Sequence, residues 1–193
     1  MLLATTNRGK LGEIIPLLAG LPIDFQTLFD YPLIPPPEET GSTFAENASQ
    51  KARFYANYTG VLTVAEDSGL EIDALGGAPG VHSARFGGET TYSQKFELIE
   101  ERLRRVPVHE RTARFICALA LADGDRIVFE AFGTLEGLIA AGPHGTGGFG
   151  YDPIFYYPPF GCTLAQAADR KSSVSHRGQA FRQLRLFLER TLR

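Results

Sequence analysis

The spacing of apolar residues along the chain predicts an alternation of strands and helices. A short apolar run over residues 2–5 is followed by five apolar residues at helical spacing, namely Leu11, Ile14, Ile15, Leu17 and Leu18. This pattern predicts a strand, a turn and a helix. Residues 23–28 predict a second strand, and the prolines between positions 32 and 37 predict a loop, because proline disrupts regular structure.

A second helix is predicted to begin after Thr43 and to end near Gly60. Apolar side chains recur there three or four residues apart, and Thr43 together with Glu46 matches a capping box. The capping role explains Glu46 fully. We therefore leave Glu46 out of the candidate site, despite the nearby polar residues Asn47 and Lys51.

The apolar residues 61–65 predict a buried strand that leads straight into Glu66 and Asp67, which are followed by Ser68. The two carboxylates are thus expected at the C-terminal end of a strand, which is where α/β sheets bind ligands. Carboxylates in such a place must be solvated, hydrogen-bonded or bound to a metal.

The second half of the chain predicts further mixed structure. An exposed helix is expected over residues 92–103, and two strand-like runs, 114–122 and 126–135, are separated by a turn sequence that is typical of a hairpin. A last helix, for which Ser175 can act as the cap, has an apolar face formed by Phe181, Leu184, Leu188 and Leu192. Helices mixed with strands and a hairpin predict an α/β fold around a mixed sheet.

Composition narrows the class of protein. A length of 193 residues with 44% hydrophobic residues predicts one domain spanning 1–193. The net charge of -3 and the lack of any run of five like charges argue against a nucleic-acid partner. Cys117 and Cys162 have neither disulfide-framework nor zinc spacing, which fits a reducing cytoplasm. No apolar run approaches the ~20 residues of a membrane span, so we expect a cytoplasmic protein without a membrane partner.

The first group of candidate residues is the predicted strand-to-helix turn. It contains Thr5, Thr6, Asn7, Arg8, Gly9 and Lys10. Two cations at the start of a helix face the positive end of its dipole, and a bound phosphate would remove that conflict. The turn is not a Walker loop, and Asn7 or Thr6 could simply cap the helix.

The second group is acidic and consists of Glu38, Glu39, Glu66 and Asp67. Carboxylates, completed by water and substrate phosphates, are how proteins usually bind Mg²⁺. Two facing acidic pairs would suit that ion. The alternative is that Glu38 and Glu39 are solvated loop charges, which is the more common fate of a glutamate pair.

The third and fourth groups suit recognition of a nucleotide base. A glycine-rich loop carries Phe149, Gly150, Tyr151 and Asp152, and a later segment carries Lys171, Ser175, His176 and Arg177. An aromatic face can stack on a base, a carboxylate can accept from a purine edge, and cationic donors can bind a phosphate or a keto oxygen. The alternatives are a glycine-rich turn whose aromatic residues pack in the core and an accidental His-Arg pair.

Five motifs in this order resemble the inosine/xanthosine triphosphate pyrophosphatase family over nearly the whole chain. They are ATTNRGK from Ala4, EETGSTFAENASQKA from Glu38, AEDSGLEIDALGGAPGVHSARF from Ala65, TGGFGYDPIF from Thr146 and KSSVSHRG from Lys171. The resemblance implies an elongated mixed β-sheet with flanking helices, forming two lobes around a central nucleotide cleft. It also implies a homodimer, a small-molecule nucleotide substrate and Mg²⁺.

The resemblance further implies the role of each candidate residue. Residues 5–10 would hold the triphosphate, Ser68 would touch the substrate, and Glu39, Glu66 and Asp67 would bind the metal. Asp67 would also accept the proton of the attacking water. Residues 149–152 would enclose the base, and Lys171, His176 and Arg177 would read its edge. Glu66 stands where bacterial relatives more often have aspartate, which lengthens one arm of the metal site and keeps its charge.

The activity implied by the resemblance is hydrolysis of ITP, dITP or XTP to the monophosphate and pyrophosphate. Two other hypotheses remain open from the residues. One is a sensor that binds a nucleotide without cleaving it, against which the retention of Asp67 beside Glu66 argues. The other is a related pyrophosphatase that acts on pyrimidine or modified nucleotides.

Overall fold

A computed structural model of the protein describes residues 1–191. Its strands are β1 (Leu2–Leu3), β2 (Gln26–Thr27), β3 (Thr63–Ile72), β4 (Thr112–Asp123), β5 (Arg126–Ile139), β6 (Phe155–Tyr157) and β7 (Cys162–Thr163). In the part of the chain described, they form one sheet with the order β2-β1-β3-β4-β5-β6-β7. Strand β1 pairs in parallel with β2 and β3, whereas β6 pairs antiparallel with β5 and β7. The predicted mixed sheet is confirmed.

The helices are α1 (Arg8–Leu18), α2 (Phe44–Thr59), α3 (Tyr92–Leu103), α4 (Lys171–Val174) and α5 (His176–Thr191). The capping box of Thr43 and Glu46 begins α2, and Gly60 ends it with a left-handed φ of 67°. These helix limits agree with the sequence prediction because caps are local signals. The α/β fold class is therefore confirmed; Leu192 of the predicted last helix lies outside the described residues.

Two predicted strands have different limits in the structure. The strand predicted over residues 61–65 continues as β3 through Glu66 and Asp67, so these carboxylates lie within the strand and not at its end. The physical reason is pairing: β1 stops at Leu3, opposite Val64, while β4 flanks β3 on its other side. The strand predicted over residues 23–28 shrinks to β2, which is the part that pairs with β1.

The first of two compact units comprises Met1–Ser68, Cys117–Gly133 and the chain from His176 onward. Helix α1 packs against α5 over a core that includes Ile14, Val64, Phe181 and Leu184. Arg185 of α5 donates to the carbonyls at the C-terminal end of α1, at 3.1 Å from the oxygen of Leu17. This contact satisfies a carbonyl that a helix end leaves unbonded.

The second unit comprises Gly69–Ile116 and Thr134–Ser175. Its separate core includes Leu70, Ile99 and Leu135, together with the rings of Phe115 and Phe155, which stack with centroids 4.4 Å apart. Helix α3 and the glycine-rich loop belong to this unit. None of the described helices has the length and apolar character needed to span a bilayer.

Candidate active site

Glu66 on β3 is the most deeply buried carboxylate of the first unit's candidate residues. Its Oε1 lies 2.6 Å from Nζ of Lys10 and 3.5 Å from Nη2 of Arg177, and the Sγ of Cys117 donates to Oε2 at 3.4 Å. Burial by itself would raise the pKa of Glu66, but the charges of Arg177 and Lys10 hold that pKa well below its usual range. Glu66 is therefore a permanent anion whose charge is balanced by two cations.

Asp67, the next residue of β3, has different partners. Its Oδ1 accepts from Nζ of Lys51 at 3.0 Å, and its Oδ2 accepts from Nδ2 of Asn47 at 3.1 Å. Both partners lie on α2. They differ from the partners of Glu66 because successive side chains of a strand point to opposite faces of the sheet. Burial raises the pKa of Asp67, although Lys51 and Asn47 act in the opposite direction. A positioned carboxylate with a raised pKa is suited to accept a proton.

Lys51 connects Asp67 to Glu39. Its Nζ donates to Oε1 of Glu39 at 2.8 Å, so both carboxylates contact one ammonium group. Burial would lower the pKa of Lys51, but Asp67 and Glu39 raise it. The structure thus brings together Glu39 and Asp67 of the predicted acidic set, while Glu38 is exposed to solvent.

Asn47 and Lys51 are the contacts that the sequence interpretation missed. The capping role assigned to Glu46 is confirmed, since its carboxylate accepts from the amide of Thr43 at 3.1 Å, and Glu46 is not part of the candidate site. Asn47 and Lys51 lie four residues apart and therefore share a face of α2. A polar residue such as Asn47 on the apolar face of a helix must find a partner, which was the available signal.

The turn before α1 is held by its own side chains. Asn7 caps the helix by accepting from the amide of Lys10 at 3.1 Å, and the Thr5 hydroxyl accepts from the amide of Asn7 at 3.1 Å. The guanidinium of Arg8 lies 5.1 Å from the ring centroid of Phe29. The predicted capping role of Asn7 is thus confirmed, and Glu66 balances the charge of Lys10. Thr6, Asn7 and Arg8 remain exposed, and Gly9 is half-buried.

Arg177 belongs to the first unit and contacts its carboxylates. The guanidinium, on a side chain that is 2% exposed, donates to Oε2 of Glu13 at 2.5 Å and to Oγ of Ser68 at 2.8 Å. Burial would lower the pKa of Arg177, but Glu66 and its other neighbours raise it. The structure therefore places Arg177 where it orients Glu66 and Ser68, and Glu13 is a partner that the sequence did not suggest. His176 is buried at the first position of α5.

The second unit brings together three of the residues predicted to bind the base. Oδ2 of Asp152 accepts from the amide of Phe149 at 2.9 Å and from Nζ of Lys171 at 2.6 Å. The same Nζ lies 4.6 Å from the ring centroid of Phe149. Gly148 has a left-handed φ of 69°, and a Cβ on it would lie 3.0 Å from Cγ of Asp152. The loop therefore requires glycine beside the carboxylate.

Tyr151 packs in the core, as the alternative interpretation of the glycine-rich loop predicted. It is 4% exposed within the core of the second unit, and its hydroxyl donates to the carbonyl of Ser83 at 2.8 Å. Phe149, by contrast, is only half-buried. Of the two aromatic residues, Phe149 is the one whose ring can face a ligand, and Tyr151 supports the loop from beneath.

The donor set determines which metal the first unit could hold. Among residues 1–191, no group of three or more histidine, cysteine, aspartate or glutamate side chains is arranged as a ready metal site. Glu39 and Asp67 nevertheless converge on a cation, the ammonium of Lys51. Two carboxylates completed by water and phosphate oxygens fit the requirements of Mg²⁺. Glu66 is engaged by Lys10 and Arg177, so it fits this donor set less well than Glu39.

Comparison with known proteins agrees with the resemblance seen in the motifs. The sequence profile of the Ham1 family matches residues 1–187. A dITP/XTP pyrophosphatase from Exiguobacterium sibiricum is 46% identical over 186 residues, covering 95% of this chain and 94% of the relative. Another dITP/XTP pyrophosphatase, from Geobacter sulfurreducens, is 48% identical over 185 residues, covering 93% of this chain and 92% of the relative.

Solved structures support the same relationship. A HAM1 protein from Coxiella burnetii superposes with a TM-score of 0.90 at 42% identity, and the match covers 98% of each chain. The Ham1 protein of Staphylococcus aureus superposes with a TM-score of 0.82 at 35% identity and the same coverage. The predicted family resemblance is confirmed in both sequence and fold.

Proposed function

The chain belongs to the Ham1 family, and we propose on that premise that it hydrolyses the non-canonical purine nucleotides ITP, dITP and XTP to the monophosphate and pyrophosphate. Relatives named dITP/XTP pyrophosphatase support this activity. The structural observation that carries it is Asp67, a buried carboxylate whose two oxygens are held by Lys51 and Asn47. A protein that only binds nucleotides has no need of a base positioned in this way.

Asp67 is the proposed general base. It accepts a proton from the water that attacks the α-phosphorus, and pyrophosphate leaves. Positioned proton transfer of this kind contributes about 10²- to 10⁴-fold to a rate. Asn47 and Lys51 fix the orientation of the carboxylate, and the raised pKa of Asp67 increases its affinity for the proton.

The first turn of α1 is the proposed triphosphate site. Thr6, Asn7 and Arg8 are exposed there, and the backbone N–H groups of a helix N-terminus attract anions. Lys10 adds a positive charge, which in the structure is directed to Glu66. These groups stabilise the charge that develops on the phosphate oxygens, which is commonly the largest contribution to such catalysis. Ser68, held by Arg177, is a further proposed substrate contact.

Glu39 and Asp67 are the residues that would hold Mg²⁺, with Glu66 as the third proposed ligand. When bound, the ion would neutralise phosphate charge and orient the triphosphate. The two carboxylates already converge on the ammonium of Lys51, which supports their ability to share a cation. Lys51 then keeps the pair together as an internal counter-ion.

The glycine-rich loop is proposed to recognise the base, together with Lys171, His176 and Arg177. The half-buried ring of Phe149 offers a stacking face, with Gly150, Tyr151 and Asp152 completing the loop. Lys171 and His176 are proposed to donate to the 6-keto group of hypoxanthine or xanthine, together with Arg177. An adenine amino group at that position would leave such donors unpaired, which can reject a substrate by about 10⁴-fold.

Three further proposals rest on the resemblance to the family. Residues 1–193 act as one domain, which is supported by the fact that each unit is assembled from segments distant in sequence. The protein works in the cytoplasm, where nucleotide pools are maintained. It functions as a homodimer, which size-exclusion chromatography with light scattering can test directly.

Pyrophosphate release from ITP, XTP, dUTP and ATP, with and without Mg²⁺, tests the proposed activity. We expect turnover of ITP and XTP in the presence of Mg²⁺ and little turnover of ATP. A preference for dUTP would indicate a pyrimidine or modified-nucleotide pyrophosphatase. Inactivity toward all four, with binding of ITP retained, would indicate a sensor.

A further inference from the structure

Tyr92 is an aromatic residue of the second unit that has no part in the proposed function. It is the first residue of α3, and the capping box of Thr91 and Gln94 fixes the backbone on which it stands. Its side chain is nevertheless 41% exposed. A large aromatic residue held on a rigid helix and left open to solvent is a suitable ligand contact.

The ring of Tyr92 is fixed by other aromatic rings. It meets Tyr151 edge to face, with centroids 5.2 Å apart and an interplanar angle of 86°, and its centroid lies 6.2 Å from that of Phe96. Tyr151 is itself anchored through its hydroxyl to the carbonyl of Ser83. The position of the Tyr92 hydroxyl is therefore determined by the core of the unit.

That hydroxyl lies at the glycine-rich loop. A Cβ placed on Gly150 would lie 3.6 Å from Oη of Tyr92, so the hydroxyl is close to the backbone of the loop proposed to enclose the base. Within residues 1–191, no hydrogen-bond partner is found for this hydroxyl, although it can both donate and accept. Burial and then the charge of Asp152 raise the pKa of Tyr92, which keeps the hydroxyl protonated.

We infer that the Tyr92 hydroxyl forms a hydrogen bond with the purine base of the bound nucleotide. This inference rests on the proposed function and adds a base contact to it. The base is the favoured part of the ligand because Tyr92 adjoins Gly150 and Tyr151, which belong to the loop proposed to enclose the base. Since a hydroxyl can pair with either a donor or an acceptor, it contributes affinity for both ITP and XTP.

The test is the variant Tyr92→Phe, which removes the hydroxyl and keeps the ring. We expect KM for ITP and XTP to rise about three- to tenfold, as for the loss of one hydrogen bond, with kcat unchanged because the contact is made equally before and during the reaction. Inorganic tripolyphosphate, which has no base, should inhibit the wild type and the variant equally. Tyr58→Phe, at a 61% exposed tyrosine of the first unit, is the matched control.

The outcomes separate this inference from the proposed function. An active wild type with an unchanged KM in Tyr92→Phe overturns the base contact alone. An equal loss of affinity for ITP and tripolyphosphate also overturns it, because the effect would then not depend on the base. A wild type that neither hydrolyses nor binds ITP overturns the proposed function, and the contact with it. Tyr92→Ala, which removes the ring as well, should raise KM further than Tyr92→Phe.

Discussion

Replacing Asp67 with asparagine separates the chemical step from nucleotide binding. Asparagine has nearly the same shape as aspartate but cannot take a proton from water. Since a general base is worth about 10²- to 10⁴-fold, turnover of ITP should fall at least a hundredfold. Binding of ITP in the absence of Mg²⁺ should survive, because the residues proposed to contact the triphosphate and the base directly are unchanged.

The structure indicates that the variant will fold. Asp67→Asn removes the negative charge from the 3.0 Å bond to Lys51, and even complete loss of such a charge-assisted bond costs only about 1.5–3 kcal/mol of the free energy of unfolding. Lys51 keeps its 2.8 Å bond to Glu39, so its charge is not left unbalanced. A loss of that size is smaller than the 5–15 kcal/mol that is typical of folded proteins.

The assay is pyrophosphate release under saturating ITP and Mg²⁺, combined with equilibrium binding of ITP to the variant in the absence of Mg²⁺. Asp73→Asn is the matched control, since Asp73 of the second unit also pairs with a cation, Arg114 at 2.9 Å, and lies outside the proposed machinery. Turnover of Asp67→Asn above a tenth of the wild-type value would refute the role of Asp67 as base. An equal loss of turnover in Asp73→Asn would show that the effect is not specific to Asp67.

Three other predictions concern the metal, the loop and the buried charges. Glu39→Gln should raise the Mg²⁺ concentration for half-maximal turnover at least about tenfold, whereas Glu38→Gln, at an exposed neighbour, should leave it unchanged; equal effects would remove Glu39 from the metal site. Gly60→Ala, at a φ of 67°, should lose about 1–2 kcal/mol of stability in urea, and Gly148→Ala, at a φ of 69°, should lose more, because its Cβ would also crowd Asp152. Only Gly148→Ala should raise KM for ITP, and an unchanged KM would contradict the role of Asp152. Arg177→Met should lose about 3–5 kcal/mol of unfolding free energy, because it removes a buried cation from its ion pairs with Glu13 and Glu66. Arg126→Met, which breaks an exposed pair, should cost less than about 1 kcal/mol in the same titration.

Local features of the sequence determined most of the elements. The limits of α2 follow from Thr43, Glu46 and Gly60, because a cap needs only residues within one helical turn. The hairpin of β4 and β5 follows from its two-residue connection, since such a connection joins neighbouring strands antiparallel. The five motifs, in their order along the chain, likewise sufficed to identify the family, because such motifs are read directly from the sequence and need no tertiary structure.

Tertiary structure alone decided the extent of β3 and the partners of its carboxylates. The strand continues past residue 65 because β4 flanks it after β1 has ended. Asp67 meets Lys51 across 16 residues of sequence, and Arg177 meets Glu13 across 164 residues. Residue spacing within a segment carries no information on such distant contacts, which arise only when the strand and the helices pack together.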